Sequence, residues 1–143
     1  MYGDVKAMLD RYGREEITRL SQLEDRATDE ICQPKVERAL KDASALIDGY
    51  LRGRYALPVK KVPDDLIRAA TIIARYDLAK SGVSEPTEQM EKDYQAVLKW
   101  LSDIQKGMVV LDCPQLTVNG GYGGQARFSD REAVFNPNSL RGA

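Results

Sequence analysis

Residues 63–82 read PDDLIRAATIIARYDLAKSG, and this stretch decides the fold. Pro63 and the two acids after it suit the first turn of a helix, and the closing glycine suits its end. Between them, apolar side chains fall on nearly every face and leave a narrow polar strip of Arg68, Thr71 and Arg75. A helix that is apolar almost all round is buried among other helices. We therefore predict a helical bundle with this helix at its centre.

Four further helices are predicted around it from apolar side chains spaced by three and four. Two short ones come first, one of them capped by Asp4 and ended by Gly13. A third helix is predicted from Pro34 to Gly53, and a fifth over residues 86–106. The fold prediction is an all-α small helical bundle, with three longer helices and two short N-terminal ones, over residues 1–111.

The end of the chain, residues 112–143, lacks helical periodicity and contains several glycines. Residues 109–111 favour a short strand, and stretches 115–118 and 125–128 flank a Gly-rich turn, which leaves a β-hairpin open. We predict an extended arm that is too poor in apolar side chains to order alone, so that it orders against a neighbouring subunit or another partner. The side chains predicted to make these contacts are Leu116, Val118, Tyr122, Phe128, Phe135, Leu140 and Arg141.

Composition limits the functions that this chain can perform. Its 143 residues include 21 basic and 22 acidic side chains and no His. The near-neutral balance gives no overall attraction to nucleic acid or an anionic membrane, and the longest apolar stretch, residues 69–74, is far too short to span a bilayer. Without His, Ser-His-Asp and Cys-His catalysis and most zinc sites are excluded. No charged-then-apolar leader opens the sequence, so we do not expect secretion.

Motifs for catalysis, cofactors and redox chemistry are weak. Residues 121–126, GYGGQA, match the dinucleotide pattern G-x-G-x-x-[GA], but the helix and the downstream acid that this motif requires do not follow. The acid pairs at 15–16 and 64–65 suit helix starts. Cys32 and Cys113 form no Cys-x-x-Cys pattern and are expected to be reduced. We predict no catalytic, metal-binding or cofactor-binding residues, and a protein that is not an enzyme.

Charge is unevenly distributed along the chain. Residues 33–62 carry seven basic and three acidic side chains, a net charge of +4, although the whole chain has a net charge of −1. Arg38, Lys41 and Arg52 share the face of the third helix that lies opposite its apolar stripe. A solvated surface explains this face. The alternative is a surface that meets an acidic partner or lines a passage for DNA.

Two opposite charges are predicted to point towards the core. Arg54 projects onto the apolar face of the third helix, and Asp77 onto that of the fourth. Because a buried charge without a partner is strongly destabilising, we predict an Arg54–Asp77 ion pair. The alternative is that the third helix ends at Gly53 and that Arg54 turns out to water.

Several blocks of this sequence resemble a known family. The most specific are residues 36–44 (VERALKDAS), 47–51 (IDGYL) and 53–58 (GRYALP). Others extend the likeness over nearly the whole chain: Val62-Pro63, residues 73–76 with Leu78, Trp100-Leu101 with Ile104 and Gly107, and the ending FNPNSLRG at 135–142. Together they resemble a neck protein family of Mu-like phages and prophages, which sits among head and tail morphogenesis genes. That family is similar in plan to helical head–tail connector (adaptor) proteins of tailed phages.

The resemblance implies a non-enzymatic virion assembly protein that is assembled in the host cytoplasm and located in the virion neck. It implies a homo-oligomeric ring of twelve copies below the portal protein, which joins the capsid to tail or tail-terminator proteins. Genomic DNA would pass through the ring without sequence-specific binding, and neither a cofactor nor a membrane is implied. A tail-completion protein and a small helical DNA-binding regulator are the alternatives.

Overall fold

The structure, a computed structural model, describes residues 1–22, 30–82 and 85–116. In these ranges the chain forms five helices: α1 (Val5–Tyr12), α2 (Arg14–Leu20), α3 (Gln33–Leu51), α4 (Asp64–Ser81) and α5 (Glu88–Gln105). The predicted helical bundle, with three longer helices and two short N-terminal ones, is confirmed. None of these described helices combines the length and the apolar character that crossing a membrane requires.

Helix α4 is the centre of the bundle and packs against all four other helices. Its apolar side chains, Leu66, Ile73 and Leu78 among them, are almost completely buried. Thr71 is buried as well, although the sequence placed it on a polar strip. Its hydroxyl donates to the carbonyl oxygen of Arg68 at 2.7 Å, so the buried oxygen is satisfied within its own helix.

Side chains fix the starts of two helices. The Asp4 carboxylate accepts a hydrogen bond from the Ala7 N–H at 2.8 Å, as the sequence predicted, and Thr87 caps α5 in the same way.

Helix α3 ends at Leu51, two residues before the predicted end at Gly53. The N–H groups of Arg54 and Tyr55 both donate to the Leu51 carbonyl oxygen at 2.9 Å and form a tight turn. Arg54 therefore lies beyond the end of α3.

The first residues of the chain are held against α3. Tyr2 is buried; its N–H donates to Ser44 Oγ at 2.8 Å, and its hydroxyl donates to the Asp48 carboxylate. Burial, followed by this hydrogen bond, raises the pKa of the Tyr2 phenol well above its usual range. The segment before α1 is thus an integral part of the bundle.

The segment after α5 differs from its prediction. Residues 109–111 do not form the expected strand; Leu111 is buried against the bundle instead. Within the described residues the only β-type pairing is an antiparallel bridge between Tyr55 and Gln115. Residues 117–143, which include most of the predicted hairpin, lie outside the described ranges, and so do Val118, Tyr122, Phe128, Phe135, Leu140 and Arg141.

Candidate subunit-interaction surfaces

The residues that follow α3 and α5 meet at one end of the bundle in a contact that we call the C-terminal anchor, formed by residues 54–56 and 105–116. Two side chains organise it. Arg54 Nε donates to the carbonyl oxygen of Gln105 at 2.9 Å, at the end of α5. The Tyr55 hydroxyl accepts a hydrogen bond from the Leu111 N–H at 2.8 Å, and the Tyr55 side chain is 2% exposed.

Backbone hydrogen bonds complete the C-terminal anchor. The Ala56 N–H donates to the Pro114 carbonyl oxygen at 3.2 Å, and the Leu116 N–H donates to the Arg54 carbonyl oxygen at 2.9 Å. These bonds tie the chain to the bundle as far as Leu116, five residues past the arm boundary predicted after residue 111. Leu116 itself is exposed, and it is the last described residue.

Gly107 lies directly against the Arg54 side chain. Its φ is +84°, and a Cβ atom at this position would lie 2.6 Å from Arg54 Nη2. The positive φ therefore favours glycine, and a Cβ here would displace the Arg54 guanidinium. Gly107 and the block at residues 53–58, which carried the family resemblance, thus meet in one contact.

The predicted Arg54–Asp77 ion pair is wrong. Arg54 contacts the end of α5, whereas Asp77 lies in a groove between the last turns of α4 and the first half of α3. Because α3 and α4 run in opposite directions, the end of α3 and the end of α4 are at opposite ends of the bundle. Projection on a helical wheel gives the face of a residue but not its level along the axis, and this explains the error.

The groove that contains Asp77 carries charges of both signs. It has a volume of about 580 Å³ and is lined by Lys35, Arg38, Ala39, Asp42, Asp77, Leu78, Lys80 and Ser81. Burial, followed by the charge of Asp42, raises the pKa of Asp77, while Lys80 lowers it. Lys35 is already engaged, because its Nζ donates to the Gln22 carbonyl oxygen at 3.1 Å.

The basic face of α3, formed by Arg38, Lys41 and Arg52, is exposed at all three positions. From the first residue to the last it covers about 21 Å of helix length. Glu37 and Asp42 border the same surface beside Arg38 and Lys41, and they reduce its net charge. Exposure fits both interpretations of this face, so its contact with DNA stays a prediction.

Sequence reasoning missed a second arginine contact, which we call the Arg75 junction (Arg75, Glu16 and Tyr12). Arg75 Nε donates to Glu16 Oε2 at 2.6 Å, with both side chains only about one-fifth exposed at 20% and 21%. The guanidinium also lies 4.5 Å from the centre of the Tyr12 ring. An arginine on a helix that is apolar almost all round needs a partner, and this signal could have identified the contact.

The next residue along α4 joins a different helix. The rings of Tyr76 and Tyr94 stack with their centres 4.1 Å apart, which links α4 to α5. The block at residues 73–76 that carried the resemblance is therefore explained by helix packing: Arg75 holds α1 and α2, and Tyr76 holds α5.

This chain is similar to proteins of phage Mu and of a Mu-like prophage. The family model described as "Bacteriophage Mu, Gp36" matches residues 2–128 of this chain. The chain belongs to the Mu Gp36 family. The Mu-like prophage FluMu protein gp36 of Haemophilus influenzae is 37% identical over 111 residues, which are 78% of this chain and 75% of that protein. Gene product J of Escherichia phage Mu is 42% identical over 71 residues, which are 50% of this chain and 48% of that protein.

The Gp36 family match includes all five helices and the whole C-terminal anchor, and the ending at residues 135–142 lies outside it. The resemblance to a Mu-like phage family is thereby confirmed. Among the described residues of this Gp36 family chain, the basic face of α3, the groove beside Asp77 and the exposed residues of the C-terminal anchor are accessible to a partner.

Proposed function

We propose that this Gp36 family protein is a non-enzymatic head–tail connector (adaptor) subunit. Twelve copies form a ring below the portal protein and join the capsid to tail or tail-terminator proteins. The protein is assembled in the host cytoplasm and resides in the virion neck. Genomic DNA passes through the ring without sequence-specific binding.

The C-terminal anchor is the observation that carries this proposal. Residues 105–116 are bound to the bundle through Arg54 and Tyr55, and 27 further residues follow Leu116 in the sequence. The chain after Leu116 therefore starts from a defined place on the bundle. In a ring, each subunit offers one surface to the subunit before it and a different surface to the subunit after it, and an arm with a fixed origin suits that arrangement.

Exposed apolar side chains within the C-terminal anchor also support the proposal. Met108, Val110 and Leu116 are 73%, 66% and 49% exposed. Large apolar side chains concentrated in one exposed segment are typical of surfaces that bind another chain.

The test is a stop codon early in this gene in an inducible Mu-like prophage, followed by electron microscopy of the lysate. We expect DNA-filled heads and free tails, and joined particles once the wild-type gene is supplied in trans. A gene truncated after Leu116 should fail to restore joining, while circular dichroism of its product shows the helical content of the full chain. Joined particles in the absence of the protein would contradict the proposal, and tails of abnormal length would favour a tail-completion role.

The basic face of α3 can be examined in the same particles. If Arg38, Lys41 and Arg52 line the DNA channel, replacing all three with Glu should leave heads and tails joined and reduce the DNA retained per particle. A matched control replaces Lys92, Lys99 and Lys106, three exposed lysines of α5 and its end, with Glu. Equal DNA retention in the two triple variants would exclude the basic face as the channel lining.

A further inference from the structure

A second groove, which we call the α4–α5 groove, lies on a side of α4 that the described residues leave open. Its volume is about 220 Å³. Ala69, Ile72 and Val97 are apolar side chains lining it, and Trp100 is half-buried at its edge. Ile72 and Val97 are 8% and 5% exposed, so the floor is apolar and fixed by packing.

Charged side chains form the rim of the α4–α5 groove. Asp65 and Arg68 come from α4, and Asp93 comes from α5. Within the described parts of the chain, Asp65 and Arg68 take part in no ion pair. Asp93 accepts one hydrogen bond at Oδ1, from Gln89 at 2.9 Å. The rim therefore offers two carboxylates and one guanidinium to a partner.

The two carboxylates lie near opposite ends of the α4–α5 groove. A short connection joins α4 to α5, so the two helices run in opposite directions. The groove involves residues 65–72 of α4 and residues 93–100 of α5. Seven helical residues rise about 10 Å, and this is the approximate separation of Asp65 and Asp93 along the groove.

We infer that the α4–α5 groove binds the segment Arg127-Phe128-Ser129-Asp130-Arg131 of a second copy of this chain. Phe128 supplies an aromatic ring for the apolar floor beside Trp100. Arg127 and Arg131 are four residues apart, about 13 Å in an extended chain, compared with about 10 Å along the groove between the two rim carboxylates. Both lie on the face opposite Phe128, so that their long side chains reach out to the rim while the Phe128 ring occupies the floor. Asp130 lies between them in sequence and complements Arg68.

The length of the chain after the C-terminal anchor permits a contact between copies. Eleven residues lie between Leu116 and Phe128, and the twelve steps from one Cα atom to the next can extend about 40 Å. This reach exceeds the length of α4, about 27 Å for its 18 residues. The choice of a second copy rests on the proposed ring, in which the groove of one subunit and the arm of the next are different, complementary surfaces.

Disulfide cross-linking of the full chain tests this contact. In a background with Cys32→Ser and Cys113→Ser, chains with Ala96→Cys on the groove wall are mixed with chains with Ser129→Cys. On mild oxidation we expect covalent dimers to form about tenfold faster than in a control mixture with Ala45→Cys, an exposed position on α3. Equal rates would overturn the inference. A rapid cross-link within single chains that carry both cysteines, independent of concentration, would overturn the assignment to a second copy.

Charge reversal provides a second, independent variant. Asp65→Arg with Asp93→Arg should slow the cross-link about threefold or more, and Arg127→Asp with Arg131→Asp in the other chain should restore it. Damage to the fold would not be restored in this way, so failure of the rescue would overturn the inference. Cross-linking does not depend on head–tail joining. If particles join without the protein, the connector proposal fails; if joining needs the protein but no cross-link forms, only the α4–α5 groove inference fails.

Discussion

Two arginines hold the short peripheral segments of this protein to the same three long helices, and they do so by different chemistry. At the Arg75 junction, a guanidinium meets the Glu16 carboxylate at 2.6 Å and the Tyr12 ring at 4.5 Å, and these contacts hold α1 and α2 to α4. At the C-terminal anchor, Arg54 instead meets a backbone carbonyl oxygen and lies against Gly107.

The difference predicts which changes each contact tolerates. The Arg75 junction needs particular side chains on both sides, and its charges are largely removed from water. The Arg54 contact of the C-terminal anchor needs a particular side chain on one side only, because Arg54 donates to a backbone carbonyl oxygen. On the other side it needs only the space that glycine leaves at residue 107. Loss of a charge should therefore reduce stability most at the Arg75 junction. Gain of a methyl group should reduce it most at the C-terminal anchor.

Arg75→Ala should have the largest effect on stability. It removes the ion pair and the contact with the Tyr12 ring, and it leaves Glu16 partly buried without its partner. We expect a loss of about 2–3 kcal/mol in the free energy of unfolding, measured by urea denaturation.

The matched control for Arg75→Ala is Arg68→Ala, on the same helix but exposed. We expect it to change stability by less than about 0.5 kcal/mol. Arg75→Lys should recover only part of the loss, because it keeps the charge but not the planar guanidinium. If Arg68→Ala and Arg75→Ala were equally destabilising, the contrast between the two arginine contacts would lose its basis.

Gly107→Ala should have the next largest effect, a loss of about 1–2 kcal/mol, since φ is positive and the new methyl group would displace the Arg54 guanidinium from its hydrogen bond with Gln105. The control is Gly49→Ala in α3, where a Cβ meets nothing within 4 Å. That change should stabilise the protein by about 0.5–1 kcal/mol through helix propensity. Thermal and urea denaturation should show a lower free energy of unfolding for Gly107→Ala than for the wild type, and a higher one for Gly49→Ala.

A double-mutant cycle separates the two causes at Gly107. In an Arg54→Ala background the collision disappears and only the strained φ remains, so Gly107→Ala should cost less there than in the wild type. An identical cost in both backgrounds would mean that the close approach of Arg54 contributes nothing and that backbone conformation alone selects glycine.

The sequence predicted the features that depend on local periodicity. The all-round apolar pattern of residues 63–82 identified the central helix, and Asp4 identified a helix start. Each of these signals consists of residues that are close together in the sequence. The exposure of Arg38, Lys41 and Arg52 followed from the same periodicity.

Contacts between residues that are far apart in the sequence could not be predicted from it. The Tyr55 hydroxyl and the Leu111 N–H are 56 positions apart, and the ion pair of Arg75 with Glu16 is 59 apart. A helical wheel shows which face a charge occupies but not which partner lies at its level along the bundle. The same reasoning that correctly demanded a partner for a charge on an apolar face therefore chose the wrong pair, Arg54 and Asp77.

Substitution of Asp77 provides a third comparison with Arg75, and we expect it to have the smallest effect on the free energy of unfolding. Two residues beyond Arg75, it is half-buried in a groove that is also lined by Lys35, Arg38, Asp42 and Lys80. Burial, followed by the charge of Asp77, raises the pKa of Tyr94 on α5. Burial and the charge of Asp42 raise the pKa of Asp77 above the ordinary 3.8, and Lys80 only partly offsets this. Unlike Arg75, it carries a charge that its surroundings disfavour.

The sign of the pH dependence follows from that raised pKa. A carboxyl group that holds its proton more tightly in the folded protein contributes stability below its unfolded pKa and loses it as pH rises through the folded pKa. At pH 7 the ionised Asp77 is therefore destabilising, and Asp77→Asn should increase the free energy of unfolding by about 0.5 kcal/mol. The difference in free energy of unfolding between Asp77→Asn and the wild type should shrink towards acid pH, where Asp77 is protonated. Urea denaturation of both proteins from pH 7 to acid pH measures this difference. Asp42→Asn, the control, removes only the second cause and should have a smaller effect. A variant less stable than the wild type at pH 7 would show instead that Asp77 has a cationic partner, as Arg75 has an anionic one.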